Sequence, residues 1–367
     1  MAAGERVAER REGLRTRLRE AAEADGFLPF DRFMEIALYD PDVGYYAAAS
    51  SPFGRGGDFY TAASVSPLFG ATLADRIRAL RAQAPPDRPF QLVELGPGDG
   101  ALAADLLASL RDERFGLEYR FVERSDARAA EVESRAREAA PGIPVRRSES
   151  IGSEGPFVGA LVANEFLDAQ PARRLRWSGT EWRELGLRLA GERCVAAEQA
   201  LGRAVPPPEL PRPDEPGTVI EIAPAAEATV REIADHLVAG AAIVIDYGME
   251  ESELLRGHPS GTLAAVRGHR VIADPLEAPG ETDLSTFVNF TRLRAAARAV
   301  GLEEVAFRTQ AEALGAWGFE ARQAAALGQA KTPADEVRVR LAAKNLLFGF
   351  ERFRVLELAP PGAARAR

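Results

Sequence analysis

Gln91-Leu92-Val93-Glu94-Leu95-Gly96-Pro97-Gly98-Asp99-Gly100 decides the reading of this chain. Leu92, Val93 and Leu95 form a short apolar run of buried-strand type. Gly96, Gly98 and Gly100 then break the run, and Ala101 to Leu110 resumes with helical character. A strand, a glycine loop and a helix in that order form a cradle for a nucleotide-type cofactor. Glycine has no Cβ, so backbone and ligand can approach closely there. The first N–H groups of the helix point at the loop, where they can meet a carboxylate or a phosphate. The spacing G-x-G-x-G differs from the dinucleotide pattern G-x-G-x-x-G, with Ala101 available as the third small residue.

Downstream of the loop, strands and helices alternate. Tyr119–Glu123 reads as a strand and Asp126–Ala139 as a helix. Gly159–Asn164, Thr218–Ile222 and Ala241–Tyr247 read as further strands, with a helix at Ala225–Leu237. A helix at Phe290–Ala299 and strands at Leu302–Phe307 and Glu351–Leu358 complete the pattern. This order predicts an α/β, Rossmann-like fold with a mostly parallel sheet. Ligands of such sheets bind outside the carboxyl ends of the strands. The polar residues at those ends are therefore the candidate site. They are Glu123, placed where an acid binds ribose hydroxyls, then Asn164-Glu165 with Asp168, and Asp246-Tyr247.

Residues 1–85 read as an N-terminal helical cap with a lid loop. Phe30, Phe33, Met34 and Leu38 share one helix face, and Ser66-Pro67 has the form of a helix start running to Gln83. The glycine- and aromatic-rich stretch that holds Gly57, Asp58, Tyr60 and Thr61 suits a lid over the cofactor. Residues 86–170 and 217–358 read as the core. Residues 171–216 read as an inserted hairpin and proline-rich region at the edge of the sheet, and 359–367 as a disordered tail.

The net charge of -9 over 367 residues argues against general nucleic-acid binding. Cys194 is the single cysteine, and His236, His258 and His269 lack metal-ligand spacing, so no metal is expected. No apolar run has transmembrane length, so no membrane partner is expected. Acids interleave with the N-terminal arginines, unlike an acid-poor transit peptide. A cytoplasmic, reducing compartment is the expectation.

The separated motifs Phe33-Met-Glu-Ile-Ala-Leu-Tyr-Asp-Pro41, Gly57-Asp-Phe-Tyr-Thr61, Val93-Glu-Leu-Gly-Pro-Gly98, Ala163-Asn-Glu-Phe-Leu-Asp-Ala169 and Asp246-Tyr-Gly248 occur in one order. In that set the chain resembles the MidA family of class I S-adenosylmethionine-dependent methyltransferases. Mitochondrial members of that family are protein arginine methyltransferases that assist assembly of respiratory complex I. The resemblance implies S-adenosyl-L-methionine as cofactor and an arginine-bearing protein as substrate. It implies that Glu94 and Gly96, Pro97, Gly98 and Gly100 hold the methionyl end of the cofactor, and Glu123 its ribose. It implies that Asn164, Glu165 and Asp168 sit beside the reacting methyl group, and that Gly57, Asp58 and Thr61 bring the cap onto the site. Ser64 and Asn289 stand where the family carries acids. Two other functions stay open on the sequence: a cofactor-binding assembly factor with weak or no catalysis, and an NAD(P)-dependent oxidoreductase.

Overall fold

The computed structural model describes residues 3–47, 62–112, 116–191, 193–203, 205 and 209–362. The chain divides into two compact units. The first comprises Phe59–Phe166, Val230–Tyr247 and Ala297–Arg367; the second comprises Met1–Asp58, Leu167–Thr229 and Gly248–Ala296.

The first unit is built on a twisted sheet. Its strands are β1 (Phe90–Leu95), β2 (Leu117–Val122), β3 (Val145–Ser148), β4 (Phe157–Asn164), β5 (Leu237–Met249), β6 (Glu303–Thr309) and β7 (Phe353–Ala359). They lie in the order β3-β2-β1-β4-β5-β7-β6. The pairs from β3 to β5 are parallel, whereas β7 runs antiparallel to both β5 and β6. β4 is apolar and buried at every position from Phe157 to Ala163. A strand with that pattern has to be covered on both faces, which is the environment of a central parallel strand. Leu92, Tyr119, Phe121, Ala160, Val162, Ile243 and Ile245 pack in one core cluster. Phe69, Leu73 and Ile77 of the helix Pro67–Gln83 join it, as do Leu102, Leu106 and Leu107 of the helix Ala101–Leu110. Each of the buried Val, Leu, Ile and Phe side chains contributes about 1.5–3 kcal/mol through burial. The helix Pro67–Gln83 starts where its sequence says it should: Pro67 occupies the first turn and the Ser66 hydroxyl accepts a hydrogen bond from the Leu68 N–H at 3.2 Å.

The second unit holds a separate antiparallel sheet of five strands: Phe27–Pro29, Arg173–Trp177, Trp182–Ala190, Arg193–Ala200 and Val219–Ile222. This corrects two expectations. The hairpin at 171–216 belongs to this second sheet and is not an addition to the edge of the first. The strand at Thr218–Ile222 pairs with Arg173–Trp177 in the same sheet, not within the core sheet. A short apolar run specifies that a strand is buried but not which strand it will pair with. Phe27–Pro29, from the segment read as a helical cap, also pairs into this sheet. Beneath it, Arg173 pairs with Glu184 at 2.9 Å and Arg203 bridges Glu184 and Asp31, so the buried carboxylate is neutralised from two directions. The stretch after Gly248 is more ordered than its composition suggests. It contains the helix Glu251–Gly257 and a three-stranded sheet of Ala264–Arg267, Arg270–Val271 and Asp283–Ser285. Asn289 caps the helix Phe290–Ala299: its Oδ1 accepts from the Arg292 N–H at 3.2 Å and its Nδ2 donates to Glu251 at 3.1 Å. Asparagine serves that end as well as an acid would.

Candidate functional site

β1 lies between β2 and β4. The chain leaves β1 toward β2 and β3 on one side, then crosses back to β4 on the other. The connections diverge at that point, the topological switch point at the carboxyl ends of β1 and β4 outside which ligands of open α/β sheets bind. The residues there are Gly96 to Gly100 after β1 and Asn164 to Phe166 at the end of β4.

The loop after β1 needs glycine for two separate reasons. Gly96, Gly98 and Gly100 all have positive φ, at 58°, 58° and 78°. A Cβ on Gly96 would also stand 2.7 Å from Phe166 Cδ2, and one on Gly100 would stand 3.1 Å from the Val132 backbone. The turn closes through hydrogen bonds from the Gly96 N–H to the Val122 carbonyl (3.0 Å) and from the Gly100 N–H to the Pro97 carbonyl (2.9 Å). Asp99 stabilises the turn from its outer side. One carboxylate oxygen accepts from the Ala101 N–H at 3.0 Å and the other pairs with Arg135 at 3.1 Å.

Glu94 is an acid inside the core, with 2% of its surface exposed. The Tyr119 hydroxyl donates to its Oε2 at 2.7 Å. Burial pushes the Glu94 carboxyl up to about 7; the Tyr119 hydrogen bond opposes that rise and nearby Asp99 adds to it. Tyr119 is fully buried, and burial together with Glu94 holds its hydroxyl well above the ordinary tyrosine value. At the end of β2, Glu123 Oε1 accepts from the Ser125 N–H at 2.8 Å, and burial raises its carboxyl despite that bond. Glu123 therefore helps begin the helix Asp126–Ala139 while standing at the position expected of a ribose-binding acid.

At the end of β4, Glu165 has φ 51°, a left-handed conformation that non-glycine residues seldom adopt. Its N–H donates to the Ile245 carbonyl at 2.8 Å, which fixes the backbone against β5. Its Oε1 accepts from the Asn164 side-chain amide at 3.3 Å and from the Ala62 N–H at 3.4 Å. Asn164 Oδ1 is buried and has no hydrogen-bond partner among the described residues. Strain of this kind costs about 1–3 kcal/mol and collects at functional sites.

The other expected site residues are distributed differently. Asp168 falls in the second unit, whose share of this segment begins at Leu167; it is 5% exposed, and its backbone carbonyl accepts from the Thr286 N–H at 2.9 Å. Asp246 and Tyr247 do not end a strand, because β5 continues to Met249. Asp246 is completely buried and accepts from the Tyr247 N–H at 2.9 Å, and the Tyr247 ring packs against Phe353. Both residues pair with β7, and beyond them Gly248 and Met249 pair in parallel with Val288 and Asn289, so the strand runs past the point where Gly248 suggests a turn. Gly57, Asp58, Tyr60 and Thr61 lie outside the described residues. Among the described residues no group of three or more His, Cys, Asp or Glu could hold a metal ion, and no helix is long and apolar enough to cross a membrane. Sequence reasoning missed Tyr119 and Phe166. The available signal was alternation: Leu92 faces Tyr119 across the β1–β2 register, so Tyr119 shares a face with Glu94.

These features fit a nucleoside cofactor with an amino-acid tail. The glycines leave room that a Cβ would fill. Glu94 offers a carboxyl to an ammonium group, Glu123 offers one to hydroxyls, and Asn164 Oδ1 is an acceptor in need of a donor.

Comparison with known proteins agrees with this fit. A family described as "Putative S-adenosyl-L-methionine-dependent methyltransferase" matches residues 69–307. The curated relatives include the protein arginine methyltransferase NDUFAF7, mitochondrial, of Danio rerio. It is 28% identical over 302 residues, spanning 74% of this chain and 68% of the relative. The homologue of Drosophila melanogaster is 28% identical over 312 residues, spanning 77% and 69%. A crystal structure from Burkholderia thailandensis with bound S-adenosyl-homocysteine has a TM-score of 0.86 and 30% identity, covering 100% of this chain and 97% of that one. A native structure of a protein from the same organism gives a TM-score of 0.82. The expectation of a cytoplasmic location is overturned here, because the curated relatives are mitochondrial proteins. Interleaved acids at an N-terminus were too weak a guide to compartment.

Proposed function

Since the chain belongs to this family of S-adenosyl-L-methionine-dependent methyltransferases, we propose that its methyl acceptor is a guanidinium nitrogen of an arginine in a partner protein. The cofactor, S-adenosyl-L-methionine, supplies the methyl group of a sulfonium for an in-line displacement. The protein supplies alignment and electrostatics. In this reading Glu94 and the loop from Gly96 to Gly100 hold the methionyl end, Glu123 holds the ribose and Asn164 lies beside them.

Arginine is a poor nucleophile because its guanidinium stays protonated, with a pKa above about 12. A carboxylate on one edge of the fork draws the positive charge away from the attacking nitrogen and fixes its direction by parallel hydrogen bonds. In this reading Glu165 supplies that carboxylate. Net transfer releases one proton from the guanidinium, and a carboxylate bonded to it is the natural acceptor.

The observation that most supports this reading is Glu165 itself. An acid is kept in a left-handed conformation at the end of the central strand, with its carboxylate oriented by the Asn164 amide and the Ala62 N–H. Glycine would take that conformation without strain. The test uses methyl-labelled cofactor with a lysate as the source of acceptor. Label should appear on arginine of a protein with the wild type. Glu165→Gln should lose it while binding S-adenosyl-homocysteine normally. Label on another residue type would remove arginine from the account.

A further inference from the structure

Glu94 is the acid that the proposed cofactor site relies on for an ammonium group, yet it lies in the core with one hydrogen-bond partner among the described residues, the Tyr119 hydroxyl. A carboxyl on a strand has rotamers that turn it along the sheet as well as toward the crevice. A hydroxyl at 2.7 Å on Oε2, itself held rigidly in the core by stacking on Phe121, selects one of them. It also donates its only proton to that oxygen, which favours the ionised carboxylate over the acid.

We propose that Tyr119 is a positioning residue for cofactor binding, acting through Glu94: it orients the carboxyl and keeps it available as an anion for the amino group of the methionyl tail. The inference rests on the reading that Glu94 meets that amino group. The other titratable group acting on Glu94 is Asp99, in the loop after β1, whose carboxylate is paired with Arg135. On the remaining neighbour, β4, the residue in register with Glu94 is apolar Val162. Tyr119 is thus the side chain whose removal changes the charge state of Glu94 with the least other disturbance.

The consequence can be read from pH. Glu94 titrates at about 7, so affinity for an amine cation should rise as pH increases through that value. Without the Tyr119 hydroxyl the buried carboxyl holds its proton more tightly, and the rise should move to higher pH.

The experiment is calorimetric titration of the full-length chain with S-adenosyl-homocysteine from pH 5.5 to 8. The proteins are the wild type, Tyr119→Phe, Glu94→Gln and the double variant. Glu94→Gln should weaken binding roughly tenfold to hundredfold and flatten the profile, as for loss of a charge-assisted hydrogen bond. Tyr119→Phe should shift the midpoint upward, and the double variant should match Glu94→Gln, because the two act as one unit. A Tyr119→Phe profile with the wild-type midpoint, beside a weakened Glu94→Gln, overturns the role of Tyr119 alone. Wild-type affinity and profile in Glu94→Gln overturn the underlying reading of Glu94. A merely structural Tyr119 would lower stability without moving the midpoint.

Discussion

Phe166 Cδ2 lies 2.7 Å from the point a Cβ on Gly96 would occupy, so the end of β4 and the loop after β1 fit together only if position 96 has no side chain. Gly96 is also at φ 58°. Gly96→Ala therefore meets two obstacles, a clash and a strained backbone. We expect it to cost about 1–3 kcal/mol of stability and to weaken S-adenosyl-homocysteine binding. Adding Phe166→Ala removes the clash but not the strain, so the double variant should recover part of the affinity lost in the single one. Urea denaturation and calorimetry on the two variants check this.

The left-handed conformation of Glu165 carries a separate expectation. Glycine adopts φ 51° without strain, so Glu165→Gly should raise stability by roughly 1 kcal/mol while methyl transfer is lost. Such opposed effects mark a residue kept for its chemistry and not for the fold. Thermal denaturation and the labelled-cofactor assay, run on the same preparation, decide it.

Two buried acids predict how stability depends on pH. Burial raises the Glu94 carboxyl to about 7 from an ordinary 4.5, and the Asp105 carboxyl to about 6 from 3.8. In both cases the folded state holds the proton more tightly than the unfolded chain. Their stabilising contribution is therefore complete below the unfolded values and is lost as pH rises through about 6 and 7. For Glu94 the full change is on the order of 3 kcal/mol. The cofactor-free protein should become less stable between pH 4.5 and 8, and Glu94→Gln and Asp105→Asn should each flatten that fall. Chemical denaturation across the range measures it.

The second unit has its own test. Arg292 and Glu227 form an ion pair at 3.1 Å with both side chains almost fully buried, at 2% and 4% exposure. Arg292→Met removes the buried countercharge of Glu227 and should cost about 3–5 kcal/mol, whereas replacing both partners with apolar residues should cost much less. Denaturation midpoints of the single and double variants separate these outcomes.

The site was legible where chemistry is local. Gly96, Gly98 and Gly100 announce a turn because glycine takes those dihedrals without strain, and Ser66-Pro67 announces a helix start because its cap is made within the turn itself. Pairing was not legible. Thr218–Ile222 reads as a strand and 171–216 as holding a hairpin, but nothing local says they belong to a sheet of their own with Phe27–Pro29. The helices Gln310–Ala316, Phe319–Gln329 and Pro333–Phe348 escaped notice for a different reason. In the last of these, Val337, Leu341 and Phe348 are exposed while Ala343 and Leu346 are buried, so apolar residues occupy both faces and blur the period. The strained φ of Glu165 could not be read either, because glutamate is a residue that normally avoids it.

The most direct measurement is to follow transfer from methyl-labelled S-adenosylmethionine to lysate protein by the wild type and Glu165→Gln, with the affinity of each for S-adenosyl-homocysteine determined alongside. The account predicts label on an arginine side chain with the wild type, none with the variant, and equal affinities. Undiminished transfer by the variant, or label on a residue other than arginine, would contradict it.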